Sequence, residues 1–175
     1  MPFNFESLDL LTRQFMKQEL DYDQKNNRLY ISSRLNERGV QLYPELLRKA
    51  IDEGNDITFG IDLLSQGCFN EHVLRNGKPT KMPSNAHETL SEGEFNRFYI
   101  RALCLRSINE GRKLEVYRAK QVSDPRPDSQ MMIGRIIDAT SSEAFLNDLR
   151  TNIGVDTAFG LPNGPNSGLS VRIKQ

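Results

Sequence analysis

The stretch "SEGEFNRFYIRALCLRSINEGR", residues 91–112, constrains this chain more than any other. Ser91 and Glu94 have the spacing of a capping box, which satisfies the free N–H groups at a helix start. Gly111 suits the stop. Between them Phe95, Phe98, Tyr99, Ile100, Ala102, Leu103, Cys104, Leu105 and Ile108 are apolar over far more than one narrow stripe. A helix that is apolar nearly all round has to be enclosed by several elements or by a partner. The spacing therefore predicts a buried helix over 92–110 at the centre of the fold.

The rest of the chain supplies what could enclose it. "SLDLLTRQFMKQEL", residues 7–20, reads as an amphipathic helix capped by Ser7, with Leu8, Leu11, Phe15 and Met16 on its apolar side. Asn26 and Asn27 can turn the chain into a short strand around Leu29–Ser32. In "LYPELLRKAIDEGND", Pro44 suits a first helical position and Gly54 a C-terminal stop. "DITFGIDLL" offers a β-like segment at Ile57–Ile61. Residues 65–90 read as an irregular excursion, with Asn76-Gly77 as a tight turn and Pro79 and Pro83 limiting any strand to an edge. "KLEVYRAKQV" alternates as a strand, "SDPRPDS" is extended, and "SQMMIGRIIDA" fits either a short helix or a strand. "SSEAFLNDLRTNIG" closes the series as a helix capped by Ser141 or Ser142 and stopped by Gly154. The expected fold class is α+β, with about four helices on a small mixed or antiparallel sheet. It forms a single domain over 1–153, followed by an extended Gly/Pro-rich arm over 154–175.

That arm, "GVDTAFGLPNGPNSGLSVRIKQ", is short of apolar residues and rich in turn formers. Holding it in place requires burying nearly all of Val155, Phe159, Leu161, Leu169, Val171 and Ile173, and pairing its backbone as well. Leu169, Val171 and Ile173 share one face of "GLSVRIK", so this piece is expected to add as an edge strand. The receiving sheet belongs either to the same domain or to a neighbouring subunit.

Composition narrows the function classes. Twenty-three basic residues balance twenty-three acidic ones, which leaves no electrostatic footprint for nucleic acid or an anionic membrane. No apolar run reaches the length of a membrane span. The start "MPFNFESLDLL" lacks the basic and apolar regions of a signal peptide, so a cytoplasmic setting is expected. Cys68 and Cys104 have no framework spacing and read as buried thiols.

Candidate chemistries each meet an obstacle. A zinc set would have to draw on Cys68, His72, His87 and Cys104, of which only the first two are near neighbours. Two histidines without a strand-to-helix elbow give no base for a serine or cysteine nucleophile. The glycine-rich end contains no phosphate loop. A nuclease strand would place a carboxylate two residues before Lys120, where Arg118 stands, and Asp124 and Asp128 read as solvated loop carboxylates. Arg97 and Arg101, beside Tyr99 and Phe98, could form an interface or stack with nucleic acid. An arginine pair on a buried helix more often forks to carboxylates across a contact. No catalytic, cofactor-binding or metal-binding residue is assigned.

The blocks "EGEFNRFYIRALCLR", "LEVYRAKQVSDPRPDS" and "GVDTAFGLPNGPNSGL" resemble segments of small proteins of tailed bacteriophages. The resemblance covers the C-terminal half and carries over no catalytic residue. It implies a virion component such as a capsid accessory, connector or tail-assembly protein, in the host cytoplasm or the particle. The expected function is thus a non-enzymatic structural or assembly protein whose partners are protein subunits, with no cofactor. The alternatives are an enzyme acting on nucleic acid and a nucleic-acid-binding module.

Overall fold

Residues 86–110 form one 25-residue helix, around which the other elements are arranged. The computed structural model describes residues 2–152 and 167–174. In chain order its elements are α1 (Leu10–Lys25), α2 (Glu37–Glu53), α3 (Asp56–Ser65), β1 (His72–Arg75), β2 (Lys78–Lys81), α4 (Ala86–Glu110), β3 (Leu114–Arg118), α5 (Pro127–Met131), β4 (Ile136–Ile137), α6 (Ala139–Thr151) and β5 (Leu169–Ile173). This is an α+β fold, with six helices among the described residues rather than about four. No helix among them is long and apolar enough to cross a membrane.

The central helix packs against α1, α3 and α6, and its C-terminal Gly111 adopts the expected left-handed conformation. It starts six residues earlier than the capping-box spacing indicates. Ser91 and Glu94 are therefore interior and buried, and the Ser91 hydroxyl donates back to the Glu88 carbonyl. Phe95, Phe98, Tyr99, Leu103 and Cys104 are all enclosed.

Several other boundaries move for identifiable reasons. Asp9 caps α1 by accepting the Thr12 N–H at 2.8 Å, so Ser7 stays outside the helix. The buried side of α1 is Thr12, Met16, Glu19, Leu20 and Asp23, while Leu11 is exposed. Helix α2 starts at Glu37, not Pro44, because the Asn36 side chain accepts the Gly39 N–H at 2.8 Å. Residues 29–32 carry no strand, and Leu35 makes a single bridge to Phe69 instead. The Ile57–Ile61 segment is helical. Asn55 and Thr58 form a reciprocal capping box there, at 3.0 and 2.9 Å.

Within 65–90, β1 and β2 pair with each other around the left-handed Asn76-Gly77 turn and with no other strand among the described residues, and Pro79 lies opposite Leu74. Pro127 opens α5 at its first turn, where a missing N–H costs nothing, so "SDPRPDS" is not extended throughout. Asp138, not Ser141 or Ser142, caps α6. Gly154 lies outside the described residues.

Strand β3 is the middle of an antiparallel sheet ordered β4-β3-β5. Leu114 pairs with Ile173, Val116 with Val171 and Arg118 with Leu169. The last strand thus docks on the chain's own sheet. Leu169 and Val171 are buried and Ile173 is half-buried. The buried Asn96 of α4 fixes its position, donating to the Leu169 carbonyl at 3.0 Å and accepting the Ser170 hydroxyl at 2.6 Å. Val155, Phe159 and Leu161 lie outside the described residues.

Candidate functional site

Helix α3 presents two apolar faces, and only one of them is used by the fold. Phe59 and Leu63 point inward and are fully buried. Gly60 lies between them, against α4. A Cβ there would sit 2.8 Å from the Ser91 Oγ and 3.4 Å from the His87 carbonyl oxygen, so the absent side chain sets how closely the two helices approach. On the opposite side Ile57, Ile61 and Leu64 stand 44%, 56% and 53% exposed. Their i, i+4, i+7 spacing makes a continuous stripe of about 10 Å along the helix.

A hollow lies on each flank of this stripe. The larger, of about 390 Å³, is bounded by Ile57 and Ile61 and by Asp56, Glu88, Glu92 and Lys120. The smaller, of about 330 Å³, is bounded by Ile61 with Lys49, Glu53 and Asp62. In the larger hollow Glu92 is ion-paired with Lys120. Asp56 is nearly enclosed. Burial pushes its carboxyl above the usual aspartate range and the charge of Glu92 adds to this, against the pull of the backbone N–H groups of Phe3, Asp56 and Ile57. His87 approaches Glu88 at 3.9 Å. In the smaller hollow Lys49 Nζ meets Asp62 Oδ2 at 2.8 Å, and these hydrogen bonds and charges raise the lysine further.

The reactive side chains of the larger hollow are already engaged. Ser91 donates to a helix carbonyl, Lys120 is held by Glu92, and Asp56 faces backbone N–H groups. The arrangement suits holding a complementary group better than moving a proton.

The sequence-derived candidates lie elsewhere. Arg97, Arg101 and Tyr99 are buried, which corrects their reading as an interface or nucleic-acid contact. Arg101 is fully enclosed, donating from Nε to Glu19 at 2.7 Å and from Nη1 and Nη2 to Asp23 at 2.7 and 2.8 Å. Arg97 pairs with Glu94 and donates to the Leu149 carbonyl. Both guanidiniums lie over the Phe98 ring. The Tyr99 hydroxyl accepts the Ser7 N–H at 3.0 Å. Cys68 and Cys104 are free buried thiols, and His72 lies on the exposed hairpin. Among the described residues no three His, Cys, Asp or Glu side chains gather as a metal set. Glu115 binds Arg172, Arg118 donates to the Ser167 carbonyl, and Asp124 and Asp128 are exposed.

The sequence reading missed Ile57, Ile61 and Leu64. The available clue was Asn55 followed by a ten-residue run with apolar residues at two helical registers, one more than a single buried face needs. No protein-family model, curated protein or solved structure matches the chain.

Proposed function

We propose that this chain is a non-enzymatic structural or assembly protein that works through protein–protein contacts, with the outer face of α3 as its contact surface. The observation that carries this reading is the exposed Ile57, Ile61 and Leu64 stripe, set between two hollows on a helix whose other face is fully packed. Apolar side chains clustered in water and rimmed by polar ones mark contact sites. The resemblance of three sequence blocks to tailed-bacteriophage proteins supplies the setting: a capsid accessory, connector or tail-assembly component.

A photocrosslinking amino acid at position 61, 64 or 74, in the cells that naturally make the protein, tests the contact. Discrete protein adducts are expected at 61 and 64 but not at 74, although Leu74 is 71% exposed. Adducts of equal yield at all three positions would overturn the reading.

A second reading, catalysis on nucleic acid, draws on the raised Asp56 carboxyl beside Glu92 and Lys120, since perturbed carboxylates gather at active sites. It is the weaker one. The Ser91 hydroxyl and Lys120 ammonium are both committed, and the carboxylate-rich rim repels phosphate.

A further inference from the structure

We infer that the α3 face receives a basic amphipathic helix from a partner protein, an inference that rests on the contact reading above. Three observations converge on that occupant.

The first is shape. Ile57, Ile61 and Leu64 lie along two turns of α3, with a hollow on either side of Ile61. A partner helix laid alongside would place its own anchors at i, i+4 and i+7 against this stripe, as helices do in grooves. Side chains flanking those anchors would then enter the two hollows.

The second is charge. The rims hold five carboxylates, from Asp56, Glu88, Glu92, Glu53 and Asp62, against two ammonium groups, from Lys49 and Lys120. Asp62 and Glu92 are paired with those lysines and Asp56 is nearly enclosed, so Glu53 and Glu88 carry the accessible excess. The whole chain is balanced at twenty-three of each sign, so this face is more acidic than the protein it belongs to. Lys or Arg on both flanks of the incoming helix would meet that excess. Their methylene stems would lie along Ile57 and Ile61 while their heads reach the exposed Glu88 on one rim and Glu53 on the other.

The third is symmetry. In a two-fold pair of this chain, α3 would face α3 and each acidic rim would face an acidic rim. Like charges brought together across a contact oppose it. The same rim opposes nucleic acid and anionic lipid. A cationic helix is the occupant that satisfies both stripe and rim.

The test uses the full chain and three synthetic 18-residue peptides, each labelled with fluorescein. One carries leucines at i, i+4, i+7 and i+11 with Lys and Arg on both flanks. The second keeps the leucines and replaces the basic residues by Glu. The third has the composition of the first in scrambled order. Anisotropy titrations at physiological salt are expected to show micromolar binding of the first alone. Ile61→Gln, which adds no charge, is expected to weaken it about tenfold, the size of one lost apolar anchor. Glu88→Lys is expected to weaken the basic peptide several-fold and to strengthen the acidic one. An unchanged urea transition confirms that each variant is folded.

Equal affinity for basic and scrambled peptides, or no response to Ile61→Gln, overturns the inference. So does dimerisation of the chain in sedimentation that Ile61→Gln abolishes, which would make the occupant a second copy. Failure of all three peptides, alongside discrete crosslinks at 61 and 64, removes the basic helix and leaves the contact reading standing. Crosslinks of equal yield at 61, 64 and 74 remove both.

Discussion

The seam between α1, α4 and α6 and the outer face of α3 are built on opposite plans. In the seam, charges are sealed inside. Arg101 and Glu19 are fully enclosed, Asp23 nearly so, and Arg150 reaches in to Glu19 at 2.9 Å. Each of these four groups has partners, and Phe98 lies under Arg101. On α3, apolar side chains stand in water beside carboxylates that outnumber their counter-charges. A buried ionic cluster adds little net stability yet is costly to break, so its effect is to dictate which helix faces meet. An exposed apolar stripe adds little to folding of the lone chain. Its free energy is available for a contact.

The largest expected effect comes from breaking the seam. Arg101→Met leaves Asp23 buried without its cation and Glu19 with only Arg150. A loss of about 3–5 kcal/mol in urea unfolding is expected. Combining it with Asp23→Asn is expected to recover most of that loss, because Glu19 keeps Arg150 and no unpaired buried charge remains. Equal losses in the single and double variants would show that packing, not charge, governs the seam.

Next is the boundary between the two regions. Gly60→Val brings a branched side chain against Ser91 and the His87 carbonyl, where even a Cβ is crowded. It is expected to cost about 1–3 kcal/mol. It should also weaken any binding at α3, since the stripe moves with the helix.

Acid separates the two regions by sign. Burial pushes Glu19 up, but hydrogen bonds from Arg150 and the charge of Arg101 overcome it and hold the carboxyl below 4.5. Such a group binds fewer protons folded than unfolded. Its stabilisation is present above 4.5 and is lost as pH falls through the folded value. Asp56 behaves in reverse. Its carboxyl is raised above 3.8, so its cost appears as pH rises from 3.8 through the folded value. Urea midpoints across the acid range check both signs. Glu19→Gln should flatten the acid loss, and Asp56→Asn should steepen the rise from acid to neutral.

The smallest effect is expected on the stripe. Ile61→Gln should change stability by no more than about 0.5 kcal/mol, as at other exposed positions. A larger loss would mean that Ile61 serves the fold, and the contrast between the two regions would close.

What the sequence revealed follows the same division. Helix α4 was legible because Phe95, Phe98, Leu103 and Cys104 are apolar on every side, and β3 because Leu114 and Val116 alternate. Helix α1 was legible in part. Met16 is buried and Leu8 and Phe15 pack against the core, but Leu11 is exposed, and Thr12, Glu19 and Asp23 are polar residues buried to meet cations on α4 and α6. Arginine 101 could be named from sequence as a fork to carboxylates. Its partners 78 and 82 residues away could not. For the α3 stripe the two apolar registers signal a surplus face, but not which of the two the core takes. Isoleucine is enriched in strands, and nothing local distinguishes Ile61, which faces water, from Leu63, which faces Phe59's side of the core. That distinction arises only when Gly60 seats the helix on α4.

The order of the sheet has a consequence for biogenesis. Strand β3 is translated about fifty residues ahead of β5, a delay of roughly 3–10 s at ordinary ribosomal speed. Through that interval the edge of β3 that receives β5 waits open, and Asn96 of α4 waits with an unclaimed amide. Nascent chains paused in this window would carry a sticky, half-finished sheet, and would gain from fast elongation between residues 118 and 169.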